Sequence, residues 1–253
     1  MLIDSHVHFD DTRFDKDRDA VYQRAKQAGV IAMIMPAITA ESWPKTKQCS
    51  AQYENVFPAY GLHPYFIDQH QPEHLDQLRL WINKEQPVAV GECGLDYFLS
   101  ELDQEKQKIF FQAQLEIAKE FDLPLIIHAR SAVEDVIHLI KKTGHNKGMI
   151  HSYNGSLQQA KQLIDLGYYL SFGGAVTYAR AKKLRSLIKE LPLDSLLIET
   201  DAPDQPDIVH KDQRNEPGFI TEVLATFVEL RSESKEKIAQ KTMLNTVQLF
   251  NLS

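Results

Sequence analysis

Short apolar stretches alternate with amphipathic ones along the whole length of this chain. The apolar stretches occupy residues 2–5, 30–35, 56–61, 88–91, 124–127, 148–150, 168–172 and 196–199. The amphipathic ones cover 18–28, 73–83, 104–121, 132–142, 157–166, 179–190, 218–230 and 234–249, and residues 41–52 read as a further outer helix. Short β-type runs separated by helices need crossover connections, which make a sheet parallel and cover both its faces. Eight such units in 253 residues predict an α/β chain of the (β/α)8 TIM-barrel type, a single domain spanning 1–253. An open doubly wound sheet would need a glycine-rich dinucleotide turn or a switch-point site, and neither is found. No linker, repeat or low-complexity stretch divides the chain.

Bulk properties remove several function classes. A net charge of −7 argues against a protein that coats nucleic acid electrostatically, but not against an enzyme that grips one or two phosphates through cations. No apolar run approaches the roughly 20 residues of a membrane span, and no basic-then-apolar leader opens the chain. Cys49 and Cys93 give no disulfide spacing, so a cytoplasmic protein is expected. A monomer is the expected state.

The chemistry-bearing residues gather next to strand ends. His6 and His8 are two apart in an extended segment, so both imidazoles are aimed the same way. Asp4, two residues earlier, is expected to accept a bond that holds one ring in its tautomer. Later strands run into Gly61-Leu62-His63-Pro64, Gly91-Glu92-Cys93-Gly94-Leu95-Asp96, His128-Ala129-Arg130, His151-Ser152-Tyr153-Asn154-Gly155 and Glu199-Thr200-Asp201-Ala202-Pro203. In a barrel these ends form one ring at the catalytic face.

An unpaired imidazole at the end of an apolar strand is costly to bury, so His128 and His151 read as metal ligands. Glu92 has two carboxylate oxygens and is suited to bridge two cations. Asp201 reads as a ligand or general base. His63 is a candidate for substrate contact or proton transfer, and Arg130 offers a donor fork for phosphate or for a structural carboxylate. Together these give His6, His8, Glu92 and Asp201 around one cation and Glu92, His128 and His151 around a second. The two divalent ions are expected to be drawn from Zn, Mn, Mg, Co or Ni, with imidazole favouring the transition metals. Two such ions can share and acidify a water, which makes hydrolysis the natural reaction class.

Other residues are expected to be structural. Cys93 should face away from Glu92 and pack; Gly173-Gly174 is expected to form a tight turn. Arg214 and Glu216 either enter a helix or brace the metal site. Tyr65, Phe66, Tyr97 and Phe98 are expected to form a packed rim, stacking on bases being the alternative. His70, His74, His138, His145 and His210 read as surface residues.

These strand-end residues, with Asp4-Ser5-His6-Val7-His8, Pro124, Arg214-Asn215-Glu216-Pro217, Asn245-Thr246 and Leu249-Phe250, resemble the TatD-type metal-dependent deoxyribonucleases of the amidohydrolase superfamily. They occur in family order over nearly the whole chain. Ser156-Leu157-Gln158-Gln159-Ala160 is similar to the YjjV-like branch. Tyr153 stands where many members carry Phe, and Glu92 where some superfamily relatives carry a carbamylated lysine. The resemblance implies a barrel, a two-metal site and phosphodiester hydrolysis, commonly at single-stranded DNA ends. It makes a 3′–5′ exonuclease the expected activity, with Asp201, Glu92, His63 and Arg130 as catalytic residues. The alternatives are a metal-dependent amide or ester hydrolase, including one acting on aminoacyl esters of tRNA, and a non-catalytic metal-binding scaffold.

Overall fold

The structure, a computed structural model, describes residues 1–252. Eight parallel strands form one sheet in chain order: β1 (Leu2–Asp4), β2 (Val30–Pro36), β3 (Val56–Tyr60), β4 (Ala89–Asp96), β5 (Leu125–Arg130), β6 (Gly148–Ile150), β7 (Tyr168–Phe172) and β8 (Leu196–Ile198). Between and after them run α1 (Arg18–Gln27), α2 (Trp43–Gln52), α3 (Glu73–Glu85), α4 (Gln104–Glu120), α5 (Val133–Thr143), α6 (Leu157–Asp165), α7 (Lys182–Glu190), α8 (Ile220–Leu230) and α9 (Lys235–Phe250). The expected (β/α)8 fold is the one adopted.

Helix boundaries follow local chemistry. Ser156 accepts from the Gln159 amide and Gln159 reaches back to the Ser156 amide, a capping box that starts α6. Asp103 caps α4 through the Lys106 amide. Helix α5 buries Val133, Val136, Ile137 and Ile140 at helical spacing and stops at Gly144, whose φ of +68° suits a residue without a side chain. Helix α7 begins three residues later than expected, because residues 178–181 are not helical, with the Ala181 amide on Tyr178 O and the Lys182 amide on Arg180 O.

By its internal contacts the chain divides into two compact units. The first comprises Met1–Met35, Gln48–Phe57 and the chain from Leu170 onward. Its core includes Val7, Phe9, Phe14, Ile34, Phe172, Leu196, Leu197 and Phe227. Here the Ser5 amide donates to Ile198 O and the Asp201 amide to His6 O, so the segment after β1 runs beside the end of β8. Asn245 of α9 donates to both Leu193 O and Leu196 O at 2.9 Å, seating the start of β8.

The second unit comprises Pro36–Lys47 and Pro58–Tyr169 and buries Ala59, Tyr60, Leu62, Val90, Leu95, Phe111, Leu115, Ile126 and Ile127. Each such aliphatic side chain taken from water contributes about 1.5–3 kcal/mol. Strands β4 and β5 are longer than the apolar runs that announced them. Pairing continues through Cys93↔Ile127, Gly94↔His128, Leu95↔Ala129 and Asp96↔Arg130, after a register shift between Val90 and Cys93. Backbone hydrogen bonding carries the ladder through residues whose side chains are polar. Gly94 permits it: its φ is +130°, and a Cβ there would lie 2.1 Å from His128 O. Glu92, Asp96, His128 and Arg130 are therefore strand residues rather than loop residues.

Candidate metal centre

In the first unit, β1 ends at Asp4 but the next four residues stay tied to their neighbours. The Val7 amide donates to Ile34 O and the His8 amide to Ala202 O. This brings the Nε2 atoms of His6 and His8 to 3.4 Å, with the rings edge to face. Oδ1 of Asp201 lies 3.4 Å from His6 Nε2 and 3.6 Å from His8 Nε2. The other oxygen, Oδ2, accepts from Gln205 Nε2 at 2.5 Å. Asp201 has φ +57°, a left-handed conformation that side chains rarely adopt outside constrained sites.

Two residues hold that conformation. Asn215 Nδ2 donates to Thr200 O at 2.8 Å and to Asp204 O at 2.7 Å, bridging the chain on both sides of Asp201. Asp4, fully buried, accepts from the His6 amide, the Thr200 amide and the Thr200 hydroxyl. The expected Asp4 bond to an imidazole is therefore replaced: its oxygens are taken by backbone and hydroxyl donors that tie the His6 segment to the Thr200 segment. Burial raises the Asp4 carboxyl to about 8, against the lowering effect of the Thr200 bonds.

In the second unit, Glu92 is the hub. Its Oε1 lies 3.0 Å from His63 Nε2, 3.4 Å from His128 Nδ1 and 2.9 Å from His151 Nε2. His128 Nδ1 is also 3.2 Å from His151 Nε2. The opposite nitrogen of His128, Nε2, lies 3.0 Å from Asp96 Oδ2. Asp96 is fixed in turn, since Gln107 accepts from its amide at 2.8 Å and donates to its carbonyl at 3.0 Å. Burial acts to lower the His128 pKa, but the bonds to Asp96 and Glu92 outweigh it and raise it. The Asp96 carboxyl is lowered; burial opposes, and the His128 bond prevails.

His63 has a defined tautomer. Its Nδ1 accepts the Tyr65 amide at 3.0 Å, so the hydrogen resides on Nε2 and points at Glu92. Burial lowers its pKa to about 4, despite the opposing Glu92 charge, so the ring is neutral around pH 7. Arg130 is exposed, and its guanidinium carbon stands 3.7 Å from the centroid of Phe98. Among the described residues it makes no salt bridge within 4 Å, but its positive charge adds to the lowering of the Asp96 carboxyl, so both readings of Arg130 stay open.

Several expectations outside these groups change. Arg214 and Glu216 do not touch the ligand-type residues. Arg214 makes a bidentate pair with Asp17 at 2.7 Å, and Glu216 takes two bonds from Arg24 at 2.8 Å, so the pair fastens α1 to the chain before α8. His70 and His145 are buried rather than surface residues. His145 is held between the Tyr168 hydroxyl at 2.7 Å and Leu123 O at 3.0 Å, more than twenty residues away, which no local pattern shows; His70 Nε2 lies 2.9 Å from His63 O, while its buried Nδ1 has no hydrogen-bond partner. Cys93 is fully buried, as expected. Gly174 opens a short 3-10 turn against the backbone of 205–207, where a Cβ would meet Gln205 O at 2.3 Å. The aromatic rim is mixed. Tyr97 is engaged by Asp135 at 2.8 Å, whereas Tyr65 is 49% exposed and Phe98 60%.

The donor chemistry fits divalent cations. Atoms bound to one ion at about 2.1 Å lie about 3.0–3.4 Å apart. The imidazole–carboxylate separations within both groups, 3.4 and 3.6 Å in one and 2.9–3.4 Å in the other, are close to that spacing. His63, Glu92 and His128 form one cluster of potential donors.

Comparison with known proteins points the same way. The family model described as TatD related DNase matches residues 3–251. The chain is 41% identical to the uncharacterized metal-dependent hydrolase YjjV of Escherichia coli K12, over 99% of this chain and 98% of that protein. It is 32% identical to the 3′-5′ ssDNA/RNA exonuclease TatD of Salmonella typhimurium, over 99% of both. The crystal structure of the E. coli YjjV protein superposes with a TM-score of 0.96 at 40% identity, covering 100% of this chain and 98% of that one. No helix among the described residues is long and apolar enough to cross a membrane.

Proposed function

This chain belongs to the TatD-related DNase family and is a metal-dependent hydrolase, and from that premise we propose a 3′–5′ exonuclease acting on single-stranded DNA ends. The observation that carries the reading is the pair of carboxylate-centred donor groups, Asp201 with His6 and His8, and Glu92 with His128 and His151. The related exonuclease of S. typhimurium supports the substrate and the direction of cutting. The whole of 1–253 is proposed as one functional domain, monomeric and cytoplasmic, the latter suiting two buried free thiols.

We assign His6, His8 and Asp201 to one divalent ion and Glu92, His128 and His151 to another. When bound, the ions supply Lewis acidity that acidifies a water and offsets charge on phosphate oxygens. Asp201 is the proton acceptor, its Oδ2 restrained by Gln205 and its backbone by the left-handed conformation. Neutral His63 directs its Nε2–H at Glu92 Oε1, which orients that carboxylate. Asp96 does the same for His128. Arg130, exposed and outside any salt bridge among the described residues, offers its donor fork to a phosphate.

The test is cleavage of a 5′-labelled single-stranded oligonucleotide by protein stripped of metal and reloaded separately with Mg, Mn, Co, Ni or Zn. A metal-dependent ladder that shortens from the 3′ end is expected. A second reading, a small amide or ester substrate, draws on the net charge of −7. Two bound ions without oligonucleotide cleavage, together with turnover of an ester panel, would favour it.

A further inference from the structure

Phe98 leaves a large aromatic face in water at a place that is not free to drift. It is 60% exposed, yet its amide donates to Asp96 Oδ1 at 3.0 Å. The other oxygen of that same carboxylate is 3.0 Å from His128 Nε2. Arg130, two residues beyond His128 on β5, covers one face of the Phe98 ring at 3.7 Å. The Tyr97 amide donates to Arg130 O at 2.9 Å, so the backbones carrying the two side chains are joined as well. The ring is thus registered to a ligand-type histidine through one carboxylate and one strand pairing.

A guanidinium held over the face of an aromatic ring keeps its N–H donors available to an acceptor beside the ring. One side of the stack then offers donors to a phosphate, and the uncovered ring face offers a surface to a planar, weakly polar group. At Phe98 a cation outside any salt bridge and an exposed aromatic ring coincide. A nucleic acid strand carries both complementary features at every residue.

We propose that Phe98, backed by Arg130, is a base-stacking platform that binds an unpaired nucleotide next to the one being removed. The proposal rests on the nuclease reading above and adds a specificity element: it selects single strands, whose bases are available for stacking, over duplex ends. Phe98 touches no reacting atom in this scheme, and its effect is on binding.

The test uses metal-loaded protein, a fluorescein-labelled single-stranded octanucleotide with hydrolysis-resistant phosphorothioate linkages, and bis(p-nitrophenyl) phosphate as a small diester that carries no neighbouring nucleotide. Loss of one stacked base corresponds to about fivefold or more in affinity. Phe98→Ala is therefore expected to weaken octanucleotide binding by at least about that factor. It should also lower the ratio of kcat/KM on the unmodified octanucleotide to that on the small diester, and Phe98→Trp should restore both. Unchanged binding in Phe98→Ala would overturn the platform alone. So would an equal loss on both substrates that Trp does not rescue, since that marks a structural role at His128. A wild-type protein that hydrolyses the small diester but neither binds nor cuts the oligonucleotide would overturn the nuclease reading and the platform together.

Discussion

Asp96 Oδ2 lies 3.0 Å from the His128 nitrogen that faces away from Glu92. A carboxylate on the far nitrogen of a ligand imidazole fixes the tautomer and strengthens the donor, and loss of such a partner costs about 10–100-fold in metal affinity or activity. Asp96→Ala is expected to lose metal on dialysis at concentrations where wild type retains it. Metal content measured by elemental analysis, alongside a kcat decrease in that same range, checks this.

Removal of metal should act on stability as well as on activity. An ion that binds only the folded chain at a hundred times its Kd adds about 2.7 kcal/mol, which corresponds to several degrees in Tm for a chain of this length. Thermal unfolding with and without chelator should show that gap, and His6→Ala should narrow it. An identical Tm in both conditions would show that the donors hold no ion.

Gly94→Ala is expected to destabilise the protein by at least about 2 kcal/mol, because it adds a disfavoured φ and a collision. The φ is +130° and the nearest backbone atom is the His128 carbonyl oxygen. Urea unfolding should show the loss, and activity should fall with it because β4 and β5 carry Glu92 and His128.

The acid limb of the stability curve should contain a contribution from Asp17. Its bonds to Arg214 hold its pKa near about 2, below the ordinary value of 3.8. A lowered folded pKa means stabilisation that is present above about pH 4 and disappears as pH falls toward 2. Arg214→Gln should therefore flatten the change in urea midpoint between pH 5 and pH 2. Because Asp17 is solvent-accessible, added salt should flatten it too.

Much of the site was legible because metal-ligand residue types were placed at strand ends, and their spacing does not depend on tertiary detail. His6-Val7-His8 needed only an extended backbone to converge. The reach of β4 and β5 was not legible, since Glu92 and Asp96 interrupt the apolar runs that mark strands and the continued pairing is a backbone property. Asn215 was quoted for its family position, but its work of bridging Thr200 and Asp204 depends on a loop that returns from fifteen residues away. Asp4 misled for the same reason: its partner Thr200 is 196 residues distant, and proximity in sequence had suggested a neighbouring imidazole instead.

That separation of 196 residues also makes the Asp4–Thr200 contact a long-range closure. The carboxylate is seated only once segments that far apart in the chain have met, so its hydrogen bonds report completion of the first unit's fold rather than any local structure.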